Sequence, residues 1–361
     1  MKILALGATG AIGGQLISLL APHGHDLYVT SRAARPSKDN VHYLQGNARE
    51  ATFLQEVLSE RWDAIIDFMV YTTATFQDRV DAFLGATDQY FLVSSARVFA
   101  ETDGLITESS PRLLDVSQDA EFLATDEYAL SKARQEDLLR ASGRKNWTIV
   151  RPYITFGESR FQLGTLEKEA WMYRALKGRS IVFCEPMMDK WTTLTDGHHV
   201  ADMIASLVGN PAALGEDFNL AGEHTVRWKE ILSLYLDELE TQLGQRPNVE
   251  LQDLESFCQA AKSVPQVIYD RMYNRRFDPA KIFARTGQEK LGDSRPTLKA
   301  HVEQHLKAGT FLPIDPKAEA LRDRAVSERT GLGEFASTKR KIGYLMYRHM
   351  PLELIYKTRA L

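Results

Sequence analysis

Short apolar segments alternate with segments of helical periodicity through the first half of the chain. The apolar segments predict strands, because each is about five residues long and is bounded by glycine or polar residues. They cover residues 2–6, 26–30, 41–45, 63–67, 89–93 and 147–153. Helical patterns cover residues 15–20, the segment after the third strand up to about residue 60, residues around 76–84 and residues 127–136. This alternation predicts an α/β fold with a doubly wound parallel Rossmann sheet, whose ligands bind beyond the carboxyl ends of the strands.

Three glycines at a spacing of three follow the first predicted strand. A strand, a glycine turn and a helix direct free backbone N–H groups and the positive end of the helix at a pyrophosphate. Gly7 permits the sharp turn, Gly10 lets the phosphates approach the backbone, and Gly13 lets the helix pack on the strand. The pattern predicts a dinucleotide site formed by Gly7, Thr9, Gly10, Ala11, Ile12 and Gly13.

The second predicted strand ends at Ser31 and Arg32, where NAD-specific folds place an acid on the ribose hydroxyls. This chain has no acid there, and the Arg32 guanidinium is suited to a 2′-phosphate. The alternative is a solvated basic loop. We therefore expect NADP or NAD as the cofactor, with NADP favoured, and both Ser31 and Arg32 in its site.

A second group of polar residues follows the fifth strand. Ser95 ends that strand, and Tyr128 and Lys132 lie four residues apart in a predicted helix, on one face. A lysine ammonium one turn from a phenol favours the phenolate and lowers its pKa. Tyr128 is then able to exchange a proton with a carbinol while hydride moves. We predict Ser95, Tyr128 and Lys132 as catalytic residues, the last two also contacting the cofactor.

The glycine turn, Ser95 and the Tyr128–Lys132 pair, in this order, resemble the extended or atypical short-chain dehydrogenase/reductases of the NAD-dependent epimerase/dehydratase family. The resemblance extends over about residues 1–310. It implies that Lys132 holds the nicotinamide ribose, that the Ser95 hydroxyl binds the reacting oxygen, and that Asn47 and Pro152 contact the cofactor. It also assigns residues 191–201, 215–220 and 226–231 to a small substrate domain.

The expected organisation has three parts. Residues 1–155 with parts of 180–225 form the cofactor domain, 156–315 form most of an α/β substrate domain, and 316–361 form a C-terminal extension with a helical basic tail. From Thr338 the tail places Ile342, Leu345 and Met346 on one helical face beside many cations. It is expected to fold back or to form a dimer contact, with contact to an anionic membrane as the alternative.

Departures from the family pattern narrow the chemistry. Dehydratases of the family have Asp-Glu after the catalytic Ser or Thr, and Ala96-Arg97 here disfavours that reaction. Arg97 is suited either to a substrate phosphate or carboxylate or to a salt bridge. Ile154-Thr155 replaces an Asn that holds the nucleotide diphosphate in many relatives, which leaves another polyol, a ketone or an isoprenoid-linked sugar open as substrate. The candidate substrate-binding residues are Arg97, Tyr153, Thr155 and Lys190.

Composition limits the classes of function that remain open. The 361 residues are 44% hydrophobic, and the net charge of −4 gives no general attraction to nucleic acid. Two cysteines and the His198-His199 pair form no metal pattern. We expect a cytoplasmic homodimer that acts on a small molecule, most simply a nucleotide-activated sugar, as an epimerase or a 4-keto reductase. The alternative is a non-catalytic dinucleotide sensor or RNA-associated scaffold.

Overall fold

The computed structural model describes residues 1–288 and 290–351. Its strands are β1 (Lys2–Leu6), β2 (Asp26–Ser31), β3 (Val41–Gln45), β4 (Trp62–Asp67), β5 (Thr87–Val93), β6 (Trp147–Pro152), β7 (Ile154–Phe156), β8 (Gln162–Leu163), β9 (Leu166–Glu167), β10 (Ile181–Cys184), β11 (Trp191–Thr192), β12 (Leu194–Asp196), β13 (Glu216–Leu220), β14 (Val226–Arg227) and β15 (Val249–Gln252). Its helices are α1 (Ala11–Leu20), α2 (Ala51–Leu58), α3 (Thr73–Gln77), α4 (Val80–Gly85), α5 (Leu113–Val116), α6 (Ala120–Leu123), α7 (Tyr128–Ala141), α8 (Lys168–Leu176), α9 (Gly197–Leu207), α10 (Trp228–Leu243), α11 (Leu254–Gln259), α12 (Val264–Gln266), α13 (Ala280–Thr286), α14 (Arg295–Ala308), α15 (Pro316–Ala325) and α16 (Thr338–His349).

A parallel sheet confirms the predicted doubly wound fold. Within the described residues it has seven strands, in the order β13-β6-β5-β4-β1-β2-β3. The chain moves outward from β1 through β2 and β3, returns to β4 beside β1, and then moves the other way to β13. The direction therefore reverses between β1 and β4, and a ligand crevice is expected beyond the ends of these two strands.

The central strands β1, β4 and β5 are buried on both faces along most of their length, which explains their largely apolar sequences. In β1, Ile3 and Ala5 pack into one core with residues of α1 and α9. Leu4 and Leu6 point to the opposite core, with residues of α2, α4 and α7. The two-residue period of the strand thus divides β1 between two hydrophobic layers.

Three local predictions are corrected. Residues 215–220, assigned to the small domain, contain β13, which pairs with β6 from Glu216↔Thr148 to Leu220↔Pro152. The first helix begins at Ala11, one turn before the start that apolar periodicity predicted. The pattern missed this turn because its glycines give no hydrophobic signal. The helix expected around residues 76–84 is two short helices, α3 and α4.

The chain forms two compact units that alternate along the sequence. The first contains residues 1–157, 193–225 and 275–294, and the second contains 158–192, 226–274 and 295–361. The sheet, β7, β12, α1–α7, α9 and α13 belong to the first unit. Its segment 275–294 lies within the range that sequence reasoning gave mostly to the substrate domain.

Buried ion pairs join α8 to α15 in the second unit. The Nη1 of Arg174 donates to Glu319 (2.6 Å) and Asp323 (2.8 Å). Trp171, one turn earlier, is buried and stacks on Tyr235 with ring centroids 4.2 Å apart. The described part of the C-terminal extension is therefore built into the core of this unit.

Helix α16 packs through a different face from the one that periodicity indicated. Tyr344 and Tyr347 are buried, whereas Ile342, Leu345 and Met346 are exposed. The hydroxyl of Tyr344 donates to Asp323 (2.7 Å), so polar contacts, which a hydrophobicity pattern does not detect, set the orientation of the helix. The tail residues after Pro351, including the predicted Leu352, Glu353, Leu354, Ile355, Lys357 and Arg359, lie outside the described residues.

Candidate functional site

The glycine turn has the geometry that a pyrophosphate requires. Gly7 has a φ of +68°, which favours glycine, and its N–H donates to the Thr30 hydroxyl (3.0 Å). A Cβ on Gly13 would lie 2.5 Å from the backbone of Ala8, whereas one on Gly10 would meet nothing within 4 Å. Within its described residues, α1 has no side-chain cap and no acid in its first turn. Its positive end is therefore open to an anion, and the turn fits the diphosphate of a dinucleotide.

The segment after β4 lies against this turn, at the point where the sheet reverses direction. The Phe68 N–H donates to the Leu6 carbonyl (3.0 Å), and the Met69 sulfur is 2.7 Å from where a Cβ on Gly7 would be. Asp67, at the end of β4, is fully buried and accepts hydrogen bonds from the Met69 N–H (2.8 Å) and the Tyr90 hydroxyl (2.8 Å). Burial raises the pKa of Asp67 to about 6.

Helix α7 brings the predicted Tyr128–Lys132 pair to the same place. The helix begins at Tyr128, and the Glu127 side chain caps it by accepting from the Ala129 N–H (2.6 Å). Lys132 is buried one turn later, and its Nζ donates to the Met69 carbonyl (3.3 Å). Burial lowers the pKa of Lys132 to about 8, although the charge of Asp67 opposes that shift. The ammonium is therefore largely retained at neutral pH, beside Met69, whose sulfur lies against Gly7.

Ser95 and Arg97 complete the group. The Ser95 hydroxyl oxygen accepts from the Arg97 N–H (3.2 Å) at the start of a short 3₁₀ turn. The Arg97 guanidinium lies 5.1 Å from the centre of the Tyr128 ring and forms a mostly buried ion pair with Glu127 (2.6 Å). Of the two roles considered for Arg97, this structure contains the ion pair. Arg97 therefore links the turn after β5, which contains Ser95, to the start of α7 at Tyr128.

A buried polar network fixes α7 on the sheet. Glu136, one turn after Lys132, accepts from the Ser94 hydroxyl (2.7 Å) and from Nε (2.7 Å) and Nη2 (2.8 Å) of Arg151. Arg151 Nη2 also donates to Asp217 (2.7 Å) on β13. The Arg151 charge lowers the pKa of Glu136 against the effect of burial. The network holds α7 in one register against three neighbouring strands.

The proposed adenosine residues lie where β2 and β3 end. Ser31 pairs with Gln45, and the Gly46 N–H donates to the Ser31 carbonyl (2.9 Å). Arg32 is exposed, whereas the buried Ser31 donates its hydroxyl to the Ala33 carbonyl (2.8 Å). Asn47 bonds within its own turn to Arg49 N–H and Glu50. Arg32 thus has the accessible position that a 2′-phosphate contact needs.

The other predicted contact residues are more enclosed. Pro152 is buried at the end of β6, and Tyr153 is buried against Phe277, with ring centroids 5.1 Å apart. Thr155 is buried and donates its hydroxyl to the Tyr153 carbonyl (3.2 Å). Lys190 belongs to the second unit, where its carbonyl accepts from the Trp228 N–H.

Sequence reasoning missed the residues that position the site. Met69 contacts Lys132 and lies against Gly7, and the charges of Asp67 and Glu136 act on Lys132, but these three residues belong to no short motif. Asp67 had one usable signal, since it is an acid at the end of a predicted buried strand. The partners of Glu136 are far from it in sequence, so no local pattern pointed to them.

The described residues contain neither a cluster of metal ligands nor a membrane-spanning helix. Among residues 1–288 and 290–351, no three His, Cys, Asp or Glu side chains are grouped as a metal site. No helix in the described part of the chain has the length and apolar character to cross a bilayer. The His198-His199 pair lies at the start of α9, whose cap is Asp196, accepting from the His198 N–H (2.7 Å).

The Rossmann sheet, the glycine turn at its switch point and the Tyr128–Lys132 helix define a short-chain dehydrogenase/reductase. The model of the NAD dependent epimerase/dehydratase family matches residues 3–221, and the chain belongs to that family of enzymes. The predicted resemblance is therefore confirmed. A comparison with curated protein sequences gives no significant match.

Solved structures share the fold at low sequence identity. UDP-glucuronic acid 4-epimerase from Bacillus cereus, in complex with UDP-glucuronic acid and NAD, has a TM-score of 0.63 and 15% identity, covering 86% of this chain and 100% of its own. MoeE5, in complex with UDP-glucuronic acid and NAD, has a TM-score of 0.66 and 16% identity, covering 85% and 100%. dTDP-glucose 4,6-dehydratase from Bacillus anthracis, in complex with NAD, has a TM-score of 0.63 and 15% identity, covering 85% and 97%. At these identities the likeness is one of fold.

Proposed function

We propose that the protein transfers hydride between a nicotinamide cofactor and a carbinol or ketone of a nucleotide-activated sugar, as an epimerase or a 4-keto reductase. The buried Lys132 supports this most directly, because it lies one helical turn from Tyr128 and its amine contacts the carbonyl of Met69 (3.3 Å), whose sulfur lies against Gly7. A lysine placed only for stability would gain little from burial, since desolvation disfavours its charge.

Each residue has a role that its position supports. The Tyr128 phenol exchanges a proton with the reacting oxygen, the Lys132 ammonium favours the phenolate, and the Ser95 hydroxyl donates to the same oxygen. Gly7, Gly10 and Gly13 with the start of α1 hold the diphosphate. When bound, the nicotinamide supplies or accepts the hydride.

The Tyr128→Phe variant tests this assignment. We expect turnover of a panel of UDP- and dTDP-sugars to be lost while cofactor affinity, measured by titration calorimetry, changes little. Tyr28→Phe, on β2 and away from the pair, serves as the matched control and should keep full activity. Unchanged turnover in Tyr128→Phe would contradict the catalytic role. A parent protein that binds cofactor but turns over no sugar, ketone or polyol would instead favour a non-catalytic sensor or scaffold.

The cofactor preference is a separate proposal. The family name and the NAD in the similar structures support NAD, whereas the exposed Arg32 and the lack of an acid after β2 support NADP. We expect Arg32→Ala to weaken NADP binding by about tenfold or more and NAD binding little, because only NADP carries the 2′-phosphate. Arg35→Ala is the control for general loop charge. Equal losses for both cofactors would contradict the proposal.

The reaction type follows from how the cofactor is held. NAD that remains bound through purification would support an epimerase, whereas reversible NADPH binding would support a reductase. Dehydration is disfavoured because Ala96 and the ion-paired Arg97 stand where an acid pair would be needed. The homodimer expected from the sequence stays a prediction, to be checked by light scattering.

A further inference from the structure

Two adjoining cavities lie within the second unit, between α8, α11 and α15. The apolar cavity, of about 400 Å³, is formed by the start of α8, residues 259–262 and residues 312–322. The polar cavity, of about 350 Å³, is formed by residues of β15, α11 and α15. Gln259, Ala260, Leu321 and Arg322 line both. Each is large enough for part of a small ligand, and most of their lining lies beyond residue 221, where the family match ends.

Arg322 lines both cavities, and it shares its carboxylate neighbours with other groups. Its side chain is 7% exposed, and its ion pair in the described structure is a long one, 3.6 Å from Nη1 to Glu319. Glu319 is held more closely by Arg174, at 2.6 Å. Burial lowers the pKa of Arg322. The Asp315 charge also acts on Arg322, but Glu319 is shared with Arg174 and Asp315 caps α15. A buried guanidinium whose acidic neighbours are shared in this way costs stability, and a bound anion would offset that cost.

The polar cavity supplies further donors for an anion. The side-chain amides of Gln252 and Gln259 line it, and no carboxylate is among its described lining residues. Arg324 also lines it, with Nη1 donating to the Tyr347 (3.1 Å) and Met350 (2.8 Å) carbonyls, whereas the Ser256 hydroxyl is used by Asp253 (3.0 Å). Amide, hydroxyl and guanidinium N–H groups are the donors that bind carboxylate and phosphate oxygens. The chemistry of this cavity therefore selects a negatively charged group.

Four carboxylates are among the described residues that line the apolar cavity, together with the cations Lys262 and Lys317, and each carboxylate is already engaged. Glu167 accepts from the Gln162 side-chain amide. Glu169 pairs with Lys168 (2.9 Å), and Asp315 caps α15 by accepting from the Ala318 N–H (2.8 Å). Glu319 pairs with Arg174, as described above. The rest of this cavity is mainly aliphatic, with Leu166, Ala170, Ala261, Ile314 and Leu321.

We propose that the two cavities form one site for an anionic amphiphile, whose carboxylate or phosphate contacts Arg322 and whose apolar body lies in the apolar cavity. The site is independent of the hydride-transfer chemistry, because all its residues belong to the second unit and none is in the glycine turn or α7.

Calorimetric titration of the full-length protein tests the site, with decanoate and decyl phosphate as separate probes and decanol as the neutral analogue. We expect at least one anionic probe to bind and decanol to bind much more weakly; the anion that binds tighter identifies the headgroup. Arg322→Met should weaken that binding about 10- to 100-fold, the value of a charge-assisted contact. Arg329→Met, an exposed arginine just beyond α15, should bind as the parent does.

A second variant keeps the test decisive if Arg322→Met does not fold. Ala261→Trp, in the loop after α11, should fill the apolar cavity without changing any charge and should also abolish binding. The proposal is overturned if neither anion binds the parent, if decanol binds as tightly as the anions, or if Arg322→Met or Ala261→Trp is soluble and binds the anions like the parent.

Discussion

Replacing Glu136 by glutamine should destabilise the first unit strongly, although the two side chains have almost the same shape. The Glu136 side chain is fully buried and accepts two hydrogen bonds from Arg151 and one from Ser94. Removing one partner of a buried ion pair costs about 3–5 kcal/mol, because the other charge is left uncompensated. Since Asp217 still contacts Arg151 at 2.7 Å, we expect the lower end, about 3 kcal/mol.

Urea unfolding and hydrogen exchange measure this change together. Hydrogen exchange of peptides from α7 and β6 measures the stability of the first unit alone. Urea unfolding of a chain with two units does not necessarily separate the stability of one unit from that of the other. Glu240→Gln makes the same chemical change at an ion pair with Arg246 (2.9 Å) in which Glu240 is 48% exposed. This control should lose less than about 1 kcal/mol. Equal, small losses in both variants would refute the reasoning.

The pH dependence gives an independent check. Because Arg151 holds the folded-state pKa of Glu136 below its ordinary 4.5, the charge stabilises the fold above that pH. This contribution is lost as the pH falls through the lower, folded-state pKa. The gap between parent and Glu136→Gln should therefore be constant at neutral pH and close only in acid. A gap that closes between neutrality and pH 4.5 would contradict the assigned charge.

Two further predictions concern the switch point of the sheet. Gly13→Ala should abolish cofactor binding or yield insoluble protein, because its Cβ would lie 2.5 Å from the Ala8 backbone, whereas Gly14→Ala has open space and should raise the melting temperature. Cofactor titration and thermal melts compare the pair, and equal behaviour would contradict the tight packing at Gly13. Asp67→Asn should gain stability relative to the parent as pH rises from 3.8 to about 6, since folded Asp67 keeps a proton that the unfolded chain has released. A pH-independent difference in melting temperature would show that the pKa of Asp67 is not raised.

The sequence was sufficient to predict features that depend on residues close together in the chain. Gly7 and Gly13 follow a strand within a few residues, so their turn was predictable in position and conformation. Tyr128 and Lys132 are one helical turn apart, so helical periodicity alone put them on one face. Their roles remain predictions, but their proximity to the glycine turn followed from the order of elements in a doubly wound sheet.

Features that depend on distant partners were not predictable from patterns. The segment 215–220 is short and polar at its start, and its place beside β6 depends on a connection of more than sixty residues. The burial of the Asp67 carboxyl group is explained by hydrogen bonds from the Met69 N–H and the Tyr90 hydroxyl, which no local pattern shows. The orientation of α16 depends on the hydrogen bond from the Tyr344 hydroxyl to Asp323. Hydrophobic periodicity does not detect such a polar contact.

The alternation of the two units along the chain has a consequence for synthesis. The sheet cannot be completed when residue 157 leaves the ribosome, because β13 is made only after a segment of the other unit, and Ile282 of α13 belongs to the same core as Ile3. A fragment that stops near residue 221 would contain all seven strands but lack that side chain and its helix. We therefore expect such a fragment to need a chaperone or to aggregate, and expression trials of the enzyme to succeed only with longer chains.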